Sequence, residues 1–151
     1  MSDQVKIELM STASAIPQRS TEFSVGYDIC SSEDEVIRPL SSKVISTGIK
    51  LHMPIGIEGQ VRSRSGLASK HGVFVLNSPG TIDPDYKGEV KVILFNSGHM
   101  PYDIDKGDKI AQLVFSHYLS PVLSTEVSSY VVRGEGGFGS TGNKVINEGI
   151  Q

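Results

Sequence analysis

At 151 residues the chain is the size of one domain, long enough to bury a core without disulfides or a structural metal. Hydrophobic residues make up 38%, with no Trp, five Phe and five Tyr, a lean core that leaves room for subunit contacts to complete the burial. Fourteen basic against 17 acidic residues give a net charge of −3, the wrong balance for a general nucleic-acid binder, which needs a basic excess to neutralise phosphates.

The single cysteine, Cys30, excludes an intrachain disulfide framework and fits a reducing compartment. The opening MSDQVKIELM has neither the apolar run of a signal peptide nor an Arg-rich amphipathic stretch. No segment approaches the roughly eighteen apolar residues of a membrane span. These features predict a soluble intracellular protein, of cytoplasm or nucleus, without membrane or nucleic-acid partners.

Short β-patterned runs dominate the chain. Residues Val5 to Leu9 alternate apolar and polar, as do Ile49, Leu51 and Met53. Between them lies Asp28, within Val25-Gly26-Tyr27-Asp28. Residues 62–68, RSRSGLA, place two guanidiniums and two hydroxyls at the start of the one predicted helical turn, 66–71, which Gly72 ends. Free N–H groups and the dipole there favour phosphate, although a surface loop capped by Ser65 fits equally. The pattern Gly-x-Ser-x-Gly of a serine-hydrolase elbow is absent.

The next segment, GTIDPDYKGE at 80–89, is good hairpin sequence. Solvated turn acids and a carboxylate that orients an attacking water both fit it. Val90, Val92 and Leu94 then face one side of a strand and Ile93 and Phe95 the other. Asp108, after the turn Lys106-Gly107, precedes Ile110, Ala111 and Gln112. Hard oxygen ligands of this kind suit Mg2+ bound mainly through water and substrate phosphates. The four histidines, at 52, 71, 99 and 117, have no metal-ligand spacing. Strands and turns in this rhythm predict an all-β sandwich or barrel.

Residues 133–142, RGEGGFGSTG, hold five glycines in ten positions. That much backbone entropy predicts a flexible arm, 133–151, unless a ligand orders it, attached to a β domain over 1–132. The dinucleotide reading of Gly134-x-Gly136-x-x-Gly139 fails because only twelve residues follow Gly139. The P-loop reading fails because Asn143 stands where Lys is needed. What survives is a run of N–H groups with Arg133, Ser140 and Thr141, suited to an anion, and Phe138, suited to a flat ring.

Taken together, five segments in order resemble the trimeric dUTP pyrophosphatase (dUTPase) family: GYDICSS at 26–32, RSGLASKHG at 64–72, NSPGTIDPDYKGE at 77–89, GDKIAQLVF at 107–115 and RGEGGFGSTG at 133–142. The match runs from about residue 5 to 142. It departs at Val25, where Ala is common, at Ser63, where Pro usually precedes the Arg, and at Lys109, where Arg is common.

The resemblance implies a distorted, jelly-roll-like β-barrel with one short helix. It implies Mg2+-dependent hydrolysis of dUTP to dUMP and pyrophosphate, which keeps uracil out of DNA and supplies dUMP for thymidylate synthesis. By the same resemblance Asp83 holds and activates the water for in-line attack on the α-phosphorus. Carboxylates ordinarily titrate near about 4, so water orientation comes first and proton acceptance second. Asp28 supports the metal-bound triphosphate through a polar network. Ser65, Gly66 and Gln112 donate to phosphates, and Arg64 holds that network.

Asn77 and hairpin backbone groups at Gly80 read uracil, with no space for a 5-methyl group, and Tyr86 packs beneath the deoxyribose and refuses a 2′-hydroxyl. The arm closes over the active site. There Phe138 covers uracil, and Arg133, Gly139, Ser140 and Thr141 meet the outer phosphates. No side chain is expected to ligate Mg2+ directly. The family is a homotrimer whose sites are each assembled from three chains.

The nearest rival, a dCTP deaminase, shares the Ile-Asp-Pro hairpin and the Ser-Arg-Ser segment. It requires a Glu about ten residues after the hairpin Asp, where this chain has Ile93. A catalytically silent interaction protein on the same scaffold is disfavoured because every expected catalytic side chain is present.

Overall fold

The structure, a computed structural model, describes residues 4–126. In chain order the elements are β1 (Lys6–Leu9), β2 (Tyr27–Cys30), β3 (Glu35–Ile37), β4 (Ser41–Ser46), β5 (Ile49–His52), β6 (Ile57–Arg62), α1 (Ser65–His71), β7 (Val73–Val75), β8 (Gly80–Ile82), β9 (Lys91–Asn96), β10 (Tyr102–Ile104) and β11 (Lys109–His117). Every strand pairing is antiparallel. The strands form four sheets: β2-β11-β6-β8, β4-β9-β7, and the two-stranded pairs β1-β5 and β3-β10. This is the all-β, distorted barrel expected from the sequence. The sheets surround one apolar core, but the ladder between described residues does not close into a continuous ring.

Alternation decides which side faces in. In β6, Ile57, Gly59 and Val61 are buried while Glu58 and Gln60 are half-buried and Arg62 is exposed. In β9, Val92, Leu94 and Asn96 are buried and Ile93 and Phe95 lie on the other face, as the period of two predicts. The buried Asn96 is satisfied: its Nδ2 donates to the carbonyls of Ile37 (3.0 Å) and Met100 (2.8 Å), and its Oδ1 accepts from Gly98 N–H (2.9 Å). These bonds tie β9 to β3 and to the loop before β10. β1 follows its alternation less completely. Among the described residues it pairs only with β5, and Leu9 keeps 47% of its surface exposed.

The helix is one residue longer at its start than the sequence suggests. Gly72, at φ 66°, ends it and returns its N–H to the carbonyls of Ala68 and Leu67. Cα packing divides the chain into a compact unit over Met1–Leu119 and a second over Ser120–Gln151. In the second, residues 120–126 are irregular and exposed, with Glu126 N–H donating to Ser124 Oγ (3.0 Å). The arm predicted from 133 lies outside the described residues. Among the described residues no helix is long and apolar enough to cross a membrane.

Candidate active site

β11 is the strand on which the site is built. It lies between β2 and β6, and Gln112 stands opposite Asp28 on one side and Arg62 on the other. Between Lys109 and Ala111 its register against β2 shifts: Lys109 faces Cys30 and Ala111 faces Ile29, so β11 carries one extra residue, a β-bulge.

Asp28 sits at the centre of the polar cluster this register creates. Its Oδ1 meets Arg64 Nε at 3.2 Å, and its Oδ2 meets Lys109 Nζ at 2.9 Å and accepts from Ser20 Oγ at 3.2 Å. Burial works to raise this carboxyl. The Lys109 hydrogen bond, the charges of Arg64 and Lys109 and the Ser20 hydroxyl together outweigh it and hold Asp28 below the ordinary carboxylate range. Arg64 also donates from Nη1 to the Lys109 carbonyl (2.9 Å). Gln112 donates from Nε2 to the Ser63 carbonyl (2.9 Å), and its carboxamide lies against Gly26, where a Cβ would collide with it. The glycine of the Gly-Tyr-Asp segment is therefore a matter of space, because it lets Gln112 pass.

The same strand end delivers α1. Arg64 occupies the cap position in an extended conformation, and no side chain caps the helix. Ser65 is thus the first helical residue and not its cap. Ser65 and Gly66 are exposed, and nothing lies within 4 Å of where a Gly66 side chain would be. An open first turn beside two cations is an anion-binding arrangement. Ser63 anchors it from behind, its Oγ accepting from Val75 N–H (3.0 Å).

The hairpin carries the remaining predicted residues. Asp83 is exposed, and its carbonyl accepts from Tyr86 N–H (3.1 Å), which closes the Asp83-Pro84-Asp85-Tyr86 turn. Tyr86 donates its hydroxyl to the Glu89 carbonyl (2.9 Å), and its ring fills the space a Cβ at Gly88 would need. The ring is thereby pinned flat, with about half its surface open and its hydroxyl already used. Glu89 is pinned in turn, accepting from Gly48 N–H at 2.9 Å. Asn77 is exposed, and its Nδ2 would lie 3.0 Å from a Cβ at Gly80, so it rests against the buried Gly80 backbone.

The fold therefore gathers Asp28, Arg64, Ser65, Gly66 and Gln112 in one place, keeps Asn77 and Gly80 beside it, where Ser63 N–H donates to Ser78 Oγ (3.4 Å) and Gly80 stands opposite Val61, and carries Asp83 and Tyr86 further along the hairpin. Among the described residues no hydrogen bond or ion pair links Asp83 or Tyr86 to the Asp28 cluster. The β6–β8 register explains why. Gly80 stands opposite Val61 and Ile82 opposite Gly59, so the chain moves away from the Arg62 end as it approaches Asp83. At about 3.4 Å per residue, Ile82, opposite Gly59, already lies three residues or roughly 10 Å along the sheet from the Arg62–Gln112 level, and Asp83 follows it. Arg133, Phe138, Gly139, Ser140 and Thr141 lie outside the described residues.

Several contributors escaped the sequence reading. Lys109 entered only as a departure from a pattern, yet it holds Asp28. Ser20 carries no signal, because only the fold brings it back to Asp28. Glu89 and Gly88 stood inside a recognised segment without a role. No group of three His, Cys, Asp or Glu among the described residues could hold a metal. Both Asp28 oxygens are committed to donors. Cys30, opposite Lys109, has its thiol pushed up by burial, in keeping with apolar packing.

Fold and site together define an all-β protein with an anion-binding helix start and a tight aromatic hairpin. Known proteins agree. The dUTPase family model matches residues 12–142. A deoxyuridine 5′-triphosphate nucleotidohydrolase from Nautilia profundicola is 44% identical over 140 residues, covering 92% of this chain and 99% of its own. One from Rickettsia conorii is 46% identical over 144 residues, covering 92% and 97%. Among solved structures, a variant of the Staphylococcus bacteriophage 80alpha dUTPase with dUpNHpp superimposes with a TM-score of 0.86 at 29% identity, covering 94% of this chain and all of that one. A variant of the dUTPase of S. aureus phage phi11, described as coordinating a structural Mg(II) ion, gives 0.77 at 27% identity over 84% of this chain and 98% of its own. The chain belongs to the dUTPase family.

Asp28 offers a test of the cluster. Its folded pKa lies below its unfolded value, so its stabilisation is complete above the unfolded value and is lost as pH falls through the folded one. Asp28→Asn should cost about 1–2 kcal/mol of stability in urea at pH 7, discounted for partly exposed partners. The gap to wild type should hold down to about pH 4 and shrink below it; a gap that widens in acid contradicts the arrangement.

Proposed function

We propose that the protein hydrolyses dUTP to dUMP and pyrophosphate, with Mg2+ held by the triphosphate and water. The observation that carries this reading is the helix start of α1, uncapped and open, beside two cations that share the single carboxylate of Asp28. Ser65 and Gly66 N–H groups and the Ser65 hydroxyl donate to phosphate oxygens there. Arg64 and Gln112 keep that turn in place, and Gln112 has a second N–H to offer. When bound, Mg2+ neutralises charge on the phosphates as the α–β bond breaks.

The hairpin supplies selectivity and the water. Asn77 and the Gly80 backbone bind uracil. Tyr86 offers the deoxyribose a flat face whose hydroxyl is engaged elsewhere, so a ribose 2′-OH placed there is desolvated without a partner. Asp83, exposed at the turn, orients the water in line with the α-phosphorus.

The separation of hairpin and helix start along one chain supports a site shared between copies. The hairpin of one protomer works with the Asp28 cluster of the next in a homotrimer. The arm residues Arg133, Phe138, Gly139, Ser140 and Thr141 of a third protomer close over the nucleotide and exclude water.

Three outcomes test these parts. Asp83→Asn should lower kcat by about 10²–10⁴-fold while a non-hydrolysable dUTP analogue still binds within about threefold; retained turnover would remove Asp83 from the chemistry. EDTA should stop pyrophosphate release without lowering Tm, since the described residues form no metal cage. Co-refolding equal amounts of the inactive variants Asp83→Asn and Arg64→Ala should restore roughly a quarter of wild-type activity if sites are shared at random. Mixtures that stay inactive mean that each site lies within one chain.

A further inference from the structure

We infer that Lys109 is a positioning residue of this site: through Asp28 and Arg64 it fixes the guanidinium on which the open first turn of α1 is mounted. For its catalytic readout the inference rests on the dUTP reading above.

The placement of Lys109 depends on the bulge in β11. Lys109 and Gln112 are three residues apart, and in a regular strand they would point to opposite faces. The extra residue between Lys109 and Ala111 resets the alternation. Lys109 then stands opposite Cys30 and Gln112 opposite Asp28. Cys30 and Asp28 are two apart on β2 and share a face, so both β11 side chains come to the Asp28 side. The cost of the irregularity is met in the core, where Ile110 and Ala111 are buried in succession.

Lys109 makes two contacts that close a ring. Its Nζ holds Asp28 Oδ2 at 2.9 Å, its carbonyl accepts from Arg64 Nη1 at 2.9 Å, and Arg64 Nε completes the circuit to Asp28 Oδ1 at 3.2 Å. Two rigid points are enough to fix a planar guanidinium. Without the ammonium, Oδ2 keeps only the Ser20 hydroxyl at 3.2 Å. The carboxylate can then rotate, and Arg64, the residue that begins α1, loses one of its two anchors. The backbone contact survives any substitution at 109, so the side chain's share can be measured alone.

The experiment compares Lys109→Met and Lys109→Arg with wild type in the full-length protein. In the substrate-free protein, the Arg64 Nε–H resonance, assigned by its loss in Arg64→Lys, should exchange with solvent at least about tenfold faster in the Met variant and near the wild-type rate in the Arg variant. In turnover of dUTP, the Met variant should raise KM about tenfold or more with kcat within about threefold, and the Arg variant should recover most of that loss. Unchanged exchange in the Met variant overturns the inference. So does an Arg variant as impaired as the Met variant, or a fall in kcat at constant KM, which would put Lys109 on the reacting phosphate. If wild type fails to turn over dUTP, the substrate reading falls, while the exchange rates still decide whether Lys109 fixes Arg64.

Discussion

The register of β11 is the constraint on which the site depends. This one strand pairs with β2 and β6 at once, so Gln112 is level with both Asp28 and Arg62. A slip of one residue would turn Gln112 toward the core and bury a carboxamide where Leu113 belongs. The slip is opposed by the apolar residues of the strand, Ile110, Ala111, Leu113 and Val114, all buried. Core packing therefore sets the geometry of the polar cluster. The hydrophobic term is large and non-directional, whereas the contacts among Asp28, Arg64 and Lys109 are partly exposed and individually modest. The first holds the frame, and the second tunes what the frame presents.

The hairpin is held differently. Its order comes from local closures: the Asp83–Tyr86 turn, the Tyr86 hydroxyl on the Glu89 carbonyl, and the Glu89 carboxylate on Gly48 N–H. The links lie before β9 and at Gly48, which precedes β5, and none is a bond to the Asp28 cluster. Each half therefore keeps its shape by its own bonds, as the proposed sharing of the site between copies would require. The tyrosine ring is fixed against Gly88 by contacts within three residues of sequence.

The sequence revealed elements more readily than partners. Period-two alternation identified the buried faces of β5 and β9, and Gly72 marked the end of α1, because these depend on neighbours a few residues away. Asp28, Arg64 and Gln112 were recognisable as members of ordered segments, but nothing local reveals that they converge. That convergence comes from β2, β6 and β11 meeting in one sheet. Lys109 illustrates the limit well. A bulge has no reliable one-sequence signature, so the face its side chain would take was not legible. Ser65, which the sequence offers as a cap, instead opens the helix, because Arg64 takes the preceding extended position and spends its side chain on Asp28.

The same sheet logic bears on which chemistry the fold performs. A deaminase would need a carboxylate general base projecting from the strand after the hairpin. Position 93 is in that strand, at the middle of β9, and is paired there with Val44 of β4. Ile93 is flanked on its own strand by Val92 and Leu94, both fully buried on the opposite side. On its own face Phe95, two residues on, packs against Phe74 at 5.6 Å between ring centroids, and Lys91, two residues back, is exposed. Two acidic groups of the candidate site stand apart in their surroundings: Asp83 is exposed to water, and Asp28 is committed to cations. On the proposed reading the first orients a water and the second holds the cations beside the open helix start. That division serves attack on phosphorus, and the strand position from which a deaminase would project its base holds Ile93.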